Sequence, residues 1–582
     1  MTMLDKVRSG LAHPKFPLLL GAFAFLSHAP SLGAGYLVDD HTHRFFAQGQ
    51  NIPGGPRGPW DLYRFADGGA GVREAIDSGL HPWWTSPHLK LAFLRPIASL
   101  LRVAEEKLFA EHAFFPHLFS VVLFVATVLV VHAALKRWVG GAAAGLGALL
   151  FAIDDAHATT VTWIAARHSL LATFGAVLAL TLFLRARERK TVSFGSGIAF
   201  FCALLSSEAA ASALAFFVAI ALFDDPRPAR ERLRGLAPVT VATAVWLVLY
   251  RLLACGSTGS AYYVDPLKDP VRFAGMAVTR LPALGLAQLF FPPSELSSMQ
   301  PRLAPGIAGM GLVVLGLTFV LVWRTKERAR ALGLFAAFVV SLLPACGTNA
   351  DDRLLMLPGV AAMGLVALGC RAAWHGRPKL GARAMLAFVA IVHVGFAVLL
   401  APVRASLFAK TMSTFVDRGA ESLFAHPRIA EKHLLVVTSP DGLLPSSMLV
   451  SRKLAKKPVF RSGRLLVTAP AGEVSLTRVD ARTFAVRATG GMIRDPFVGA
   501  VRADPFRVGD RIALPDVAIT VADASSDGVP THLVFAFTDA LDRDDLALVV
   551  WQEGRYRPFE LPAIGATVRL EAIDFTQALA TQ

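Results

Sequence analysis

The sequence predicts a polytopic α-helical membrane protein of about eleven transmembrane helices with a C-terminal β-rich soluble domain. Three observations predict it. Hydrophobic residues make up 54% of the 582-residue chain and charged residues 17%, with a mean hydropathy of +0.51, far to the membrane side of soluble usage. Apolar stretches long enough to cross a hydrocarbon core recur as far as residue 402. Beyond residue 403 the composition is balanced, with 22 Lys and Arg against 20 Asp and Glu, and short alternating segments replace the long apolar runs.

Taken in order, the candidate spans lie near 16–35, 114–135, 138–154, 164–184, 192–207, 209–223, 236–254, 303–323, 331–346, 354–373 and 384–402. The first follows Lys6, Arg8 and Lys15 and reads as an uncleaved anchor, because many spans follow it. The connections then sort by charge. One set holds twenty-one basic residues, clustered at 6–15, 136–137, 185–190, 227–234, 324–330 and 371–383. The short connections of the other set, near 154–163, 206–210 and 347–353, hold Arg353 alone. This asymmetry predicts a cytoplasmic N-terminus and an extracytoplasmic, or periplasmic, C-terminal domain in the plasma (inner) membrane. It also accounts for the net charge of +15 and the pI near 10.0 without nucleic acid as partner. Four cysteines without a CxxC pair exclude a disulfide scaffold or a cysteine zinc site.

The apolar stretch 274–293 breaks the alternation if it crosses. It holds Arg280 and Pro282 and ends in Phe290-Phe-Pro-Pro293, so it is expected to re-enter or lie on the surface. The long first outer loop is placed at about 36–113 and the transmembrane domain at 1–402. In the domain 403–582, Leu465–Thr468, Thr483–Arg487, His532–Phe537 and Ala547–Trp551 read as strands, with Gly554 in a hairpin turn and a helix near 405–425 as the connection.

The acids gather on the outer face. Asp39 and Asp40 follow the first span, Asp154 and Asp155 the third, Glu208 the fifth, and Asp351 and Asp352 the ninth. Arg95, Arg167 and Arg353 join them, with His157 nearby. Ionisable groups bordering apolar helices are costly and often functional. Arginines among acids fit a polar site for an anion such as phosphate. Blander readings stand beside this one: Asp351-Asp352 as a helix cap, Glu208 as a solvated hairpin tip, and Pro82-Trp83-Trp84 as an interfacial anchor instead of a sugar platform.

Val38-Asp39-Asp40-His41 after a first span, with Leu94-Arg95-Pro96 in the outer loop, resembles the multi-span O-mannosyltransferases that carry TPR repeats, and their bacterial relatives in the GT-C glycosyltransferase superfamily. Leu150-Phe-Ala-Ile-Asp-Asp-Ala-His157 and Val161-Thr-Trp-Ile-Ala-Ala-Arg167 are similar to F-A-x-H-P-x-H and V-x-W-I-x-x-R in that family. Leu204-Leu-Ser-Ser-Glu208 is similar to L-L-S-K-E, and Asp352-Arg353-Leu-Leu-Met-Leu-Pro358 to E-R-L-L-Y-L-P. The resemblance covers roughly residues 16–375. It departs at Ser207, where relatives carry Lys, at Asp154-Asp155, where they often carry His-Pro, and in lacking the TPR array.

The resemblance implies transfer of a sugar from a polyprenyl-phosphate donor to an acceptor hydroxyl on the extracytoplasmic face, with inversion. It places the catalytic base at Asp39 or Asp40, with Asp39 preferred. Arg353, Arg167 and Arg95 would hold the donor phosphate. Glu208, Asp154, Asp155, His157 and Asp352 would shape the site or meet the acceptor, a protein or glycolipid. No cofactor is expected, although Asp39, Asp40, Asp154, Asp155 and His157 offer hard ligands to a divalent metal. The competing readings are a flippase or transporter of lipid-linked sugar, which needs no base and favours repeat symmetry at the midplane, and a surface-polysaccharide polymerase or ligase.

Overall fold

The computed structural model describes residues 3–50, 58–374, 380–425 and 428–580. Arg377 and Lys379 of the last basic turn lie outside the described residues. Among the described residues eight helices are long and apolar enough to cross a membrane: Phe16–Gly33, Phe114–Trp138, Ile164–Glu188, Ala229–Leu252, Ala304–Arg324, Arg328–Gly347, Asp352–Arg371 and Met385–Phe424. Two expected spans are short apolar helices, Gly141–Ile153 and Phe194–Ser206. The expected span 209–223 is a composite of a 3-10 turn Glu208–Ala213, a helix Leu214–Ala219 and a π turn Ile220–Asp224. The chain is a multi-pass membrane protein in which, among the described residues, eight of the eleven expected spans have the length and apolarity of a crossing helix.

Ion pairs tie the basic connections together. Arg137 pairs with Glu188, Arg187 and Arg330 both reach Asp224 at 3.2 and 3.6 Å, and Arg371 pairs with Glu327 and donates to the Val139 carbonyl at 2.6 Å. Helix Arg167–Glu188 has 22 residues and so is about 33 Å long. It separates this basic face from Arg167, and the helix from Asp352 to Arg371 separates the same two faces.

Segment 274–293 leaves and returns on one side. It forms the helix Pro270–Leu289, and Arg280 near its middle donates to the carbonyls of Cys346 and Thr348 at 3.2 and 2.7 Å. Just beyond its end, Ser294 donates to Asp352 at 2.8 Å. Both contacts fall within one short connection. The helix runs alongside Ala304–Arg324 in the same direction. A Cβ on Gly311 would stand 2.0 Å from the Pro282 carbonyl oxygen, so only glycine permits this approach.

The outer loop carries helices Asp39–Ala47, Ala70–Asp77 and Pro96–Phe109. Its strands Arg64–Asp67 and Lys90–Ala92 form a three-stranded antiparallel sheet with Gly256–Thr258. The C-terminal region holds two sheets. One contains Arg555–Pro558, Leu546–Gln552, His433–Ser439 and Ser462–Thr468, in that order, the last three parallel. The other is a six-stranded antiparallel sheet, Thr567–Leu570, Val474–Arg478, Thr483–Ala488, Pro530–Phe537, Val517–Ala524 and Arg511–Ala513. All four segments expected as strands are strands, and Gly554, at φ +73°, turns the hairpin between Leu546–Gln552 and Arg555–Pro558.

Two expectations change. The boundary at 403 falls inside one continuous helix, Ala397–Phe424, because the apolar face that ends near 402 is followed directly by an amphipathic one. The Trp83-Trp84 pair is no interfacial anchor. Both rings are buried, and Trp83 donates its indole N–H to the Leu466 carbonyl at 2.8 Å, so the pair fastens the outer loop to the C-terminal region.

Candidate functional site

Asp39 and Asp40 open the helix Asp39–Ala47 and point to different surroundings. Asp40 is fully buried and accepts the backbone N–H of Leu37 at 2.9 Å and of Ala165 at 2.6 Å. Burial nevertheless raises its carboxyl to about 7. Asp39 is only partly buried, and among the described residues no hydrogen bond holds its carboxylate. Burial raises it above the usual aspartate range while the Arg353 charge lowers it. The preceding Val38 sits at φ +33°, a costly conformation for a β-branched residue. The two N–H bonds to Asp40 hold this turn in place.

Arg353 is set by the broken segment 158–166. Its guanidinium carbon lies 5.2 Å from the Trp163 ring centroid, its carbonyl accepts from Thr160 at 3.3 Å, and its Nε stands 3.1 Å from Asp351. Both terminal nitrogens are free of hydrogen bonds among the described residues, leaving the fork that suits phosphate. The Asp351 carboxylate caps the turn by accepting the Arg353 N–H at 3.0 Å, as the cap reading expects for that residue.

Arg95 and Glu208 form a bidentate pair, with Nε to Oε2 at 3.0 Å and Nη2 to Oε1. The Arg95 guanidinium lies over Tyr63 and Phe93. Glu208 is therefore not a solvated tip. Nη1 of Arg95 carries no hydrogen bond among the described residues.

Arg167 departs from expectation. It is 2% exposed, and every nitrogen is used: Nε donates to Ser120 at 2.8 Å, Nη2 to the Pro116 carbonyl at 2.6 Å, and Nη1 to Glu105. Glu105 also accepts from Arg102 at 2.6 Å. With each nitrogen engaged and the side chain closed off from solvent, Arg167 is not open to a phosphate and braces the helix Pro96–Phe109. His157 is likewise a packing residue. It is buried between Phe124 and Phe151 with Nδ1 at 3.0 Å from the Phe151 carbonyl.

The remaining acids meet at Arg404, a residue not singled out in the sequence. Its Nη1 donates to Asp155 and Asp352 at 2.8 Å each, and its Nη2 to Glu295 at 2.9 Å. Asp154 is buried and accepts from Gln288 at 2.7 Å and from the Ala156 N–H at 3.1 Å. Among the described residues no three His, Cys, Asp or Glu side chains are placed to hold one metal ion; Asp155, Asp352 and Glu295 are engaged by Arg404, and Asp40 and Asp154 by backbone N–H groups. Arg404, Glu295 and Gln288 escaped the sequence reading because each lies outside the four motifs. Arg404 carried one signal, a lone cation beside an apolar run.

No family model matches the chain, and no curated protein matches it. Among solved structures it is similar to the oligosaccharyltransferase AglB of Archaeoglobus fulgidus, in complex with an inhibitory peptide and a dolichol-phosphate (12% identity, TM-score 0.39, 72% of this chain and 62% of that one). It is similar to ArnT of Cupriavidus metallidurans bound to undecaprenyl phosphate (16%, 0.33, 76% and 85%). A third is the arabinofuranosyltransferase AftD from Mycobacteria, as an R1389S mutant (15%, 0.34, 90% and 41%). The chain thus spans less than two thirds of the AglB and AftD chains.

Proposed function

We propose that this protein is a GT-C-type membrane glycosyltransferase that moves a sugar from a polyprenyl-phosphate donor to an acceptor hydroxyl. The observation that carries this reading is that Asp39, whose carboxylate has no hydrogen bond among the described residues, lies within the electrostatic reach of Arg353, whose terminal nitrogens are open. Asp39 takes the proton of the acceptor hydroxyl as its oxygen bonds to the anomeric carbon. The bond from that carbon to the donor phosphate oxygen breaks, and the electron pair leaves with the lipid phosphate. Arg353, with Nη1 of Arg95, receives the charge that develops there. One displacement from the far side inverts the anomeric centre. Glu208 holds Arg95, while Asp155 and Asp352 keep the segment before Arg353 in register through Arg404. The N-terminus lies in the cytoplasm, and the site and C-terminal region lie outside it, in the orientation the basic turns favour.

The test incubates the purified chain in lipid nanodiscs with several polyprenyl-phosphate sugars and a mixture of envelope acceptors. Mass and anomeric configuration of the product are read. A new glycoside of inverted configuration together with free polyprenyl phosphate is expected. Movement of intact lipid-linked sugar across sealed vesicles without bond cleavage would make the protein a transporter.

A further inference from the structure

A cavity of about 360 Å³ lies away from Asp39, where outer-loop residues 78–83 meet the helix Leu444–Leu454 and the strands His433–Ser439 and Ser462–Thr468. Its size is that of small-ligand pockets. The walls are mostly apolar, with Phe45, Leu80, Leu449 and Phe460 among them. Three cationic side chains line it and no Asp or Glu does. Arg464 is already satisfied, by Asp516 at 2.6 Å and by the carbonyls of Ile76 and Asp77 at 2.7 and 2.8 Å. Lys453 and Arg461 are exposed and form no ion pair among the described residues. The cavity is built into the join between outer loop and C-terminal region. Gly79, at φ +78°, approaches so closely that a Cβ there would stand 1.9 Å from the Gly463 carbonyl oxygen.

We propose that this cavity binds an anionic amphiphile, its apolar body against Phe45, Leu449 and Phe460 and its anionic head between Lys453 and Arg461. Lys453 in the last helical turn also suits the helix dipole, and Arg461 lies near Glu431, which is already paired with Arg428; two cations without an ion pair among the described residues, over an apolar floor, favour negative charge joined to hydrocarbon. Alkyl and isoprenyl phosphates share this chemistry. The cavity touches the proposed transfer site through one element: Phe45 belongs to the helix that Asp39 begins. The binding inference does not rest on glycosyl transfer.

Full-length protein in nanodiscs is photolabelled with a decyl phosphate bearing a terminal diazirine, and labelled peptides are identified by mass. Labels are expected on segments 78–83 and 446–465, displaced by unlabelled decyl and citronellyl phosphates. Charge reversal in Lys453→Glu/Arg461→Glu should cut them by roughly tenfold or more, as two charge-assisted contacts are lost. Both side chains are exposed, and an unchanged unfolding temperature verifies that the variant folds. Equal labelling by the uncharged decanol probe, unchanged labelling of the variant, or full displacement by inorganic phosphate at equal concentration would each overturn the proposal.

Discussion

Successive residues on a helix point about 100° apart, and this separates the work of Asp39 from that of Asp40. Asp40 turns inward to two backbone N–H groups, while Asp39 has no such bond among the described residues and feels the Arg353 charge. As a base Asp39 acts deprotonated, so kcat/KM falls as pH drops through its pKa. Because burial raises that pKa, the acid limb should lie above the ordinary aspartate value of 3.8. Arg353→Ala removes the charge that lowers it, so the limb should move to higher pH as the rate falls. A pH profile with an unmoved limb would detach Arg353 from Asp39. The sequence already pointed to Asp39, Asp40, Arg95 and Arg353 as ionisable groups beside apolar spans. The fate of Arg167 was hidden, because Glu105, Ser120 and Pro116 reach it only once the helices Pro96–Phe109 and Phe114–Trp138 pack beside it.

At the level of elements, the helix Ala397–Phe424 joins the membrane layer to the C-terminal sheets and carries Arg404 into three carboxylates. Those carboxylates come from three separate segments. Arg404→Ala strands them against one another, at a cost on the order of 2–3 kcal/mol, below the loss for a fully buried pair because the Arg404 side chain is 18% exposed. Thermal unfolding in nanodiscs should show a lower midpoint, with Arg404→Lys intermediate. An unchanged midpoint would mean that the cluster does not brace the fold. The spans themselves were readable from apolar length, and the strands from alternation. The fusion of the last span with the joining helix was not, since Pro402 followed by Arg404 reads as a stop and here lies within a continuous helix.

Across the whole molecule, the basic turns lie on one face and the acid motifs on the other, and segment 270–294 keeps both its outer contacts on the acid side. Single cysteines tested in a Cys202→Ser background read this sidedness directly. Introduced at Leu267 and Ile564, both exposed, they should react with a membrane-impermeant maleimide on intact cells. At Val192, in a basic turn, reaction should require lysis. Labelling of Leu267 and Val192 positions from the same side would break the two-face arrangement. Charge alternation made this arrangement visible in the sequence. The seating of the outer loop on the C-terminal sheets was not visible, because Trp83 and Trp84 have no partner until distant segments meet. If Asp39 accepts the proton of the attacking hydroxyl, its loss is read in single-turnover transfer from a radiolabelled polyprenyl-phosphate sugar by Asp39→Asn. The expected rate is at least about a hundredfold below wild type, with donor binding and unfolding temperature retained. Transfer by Asp39→Asn at the wild-type rate would contradict it.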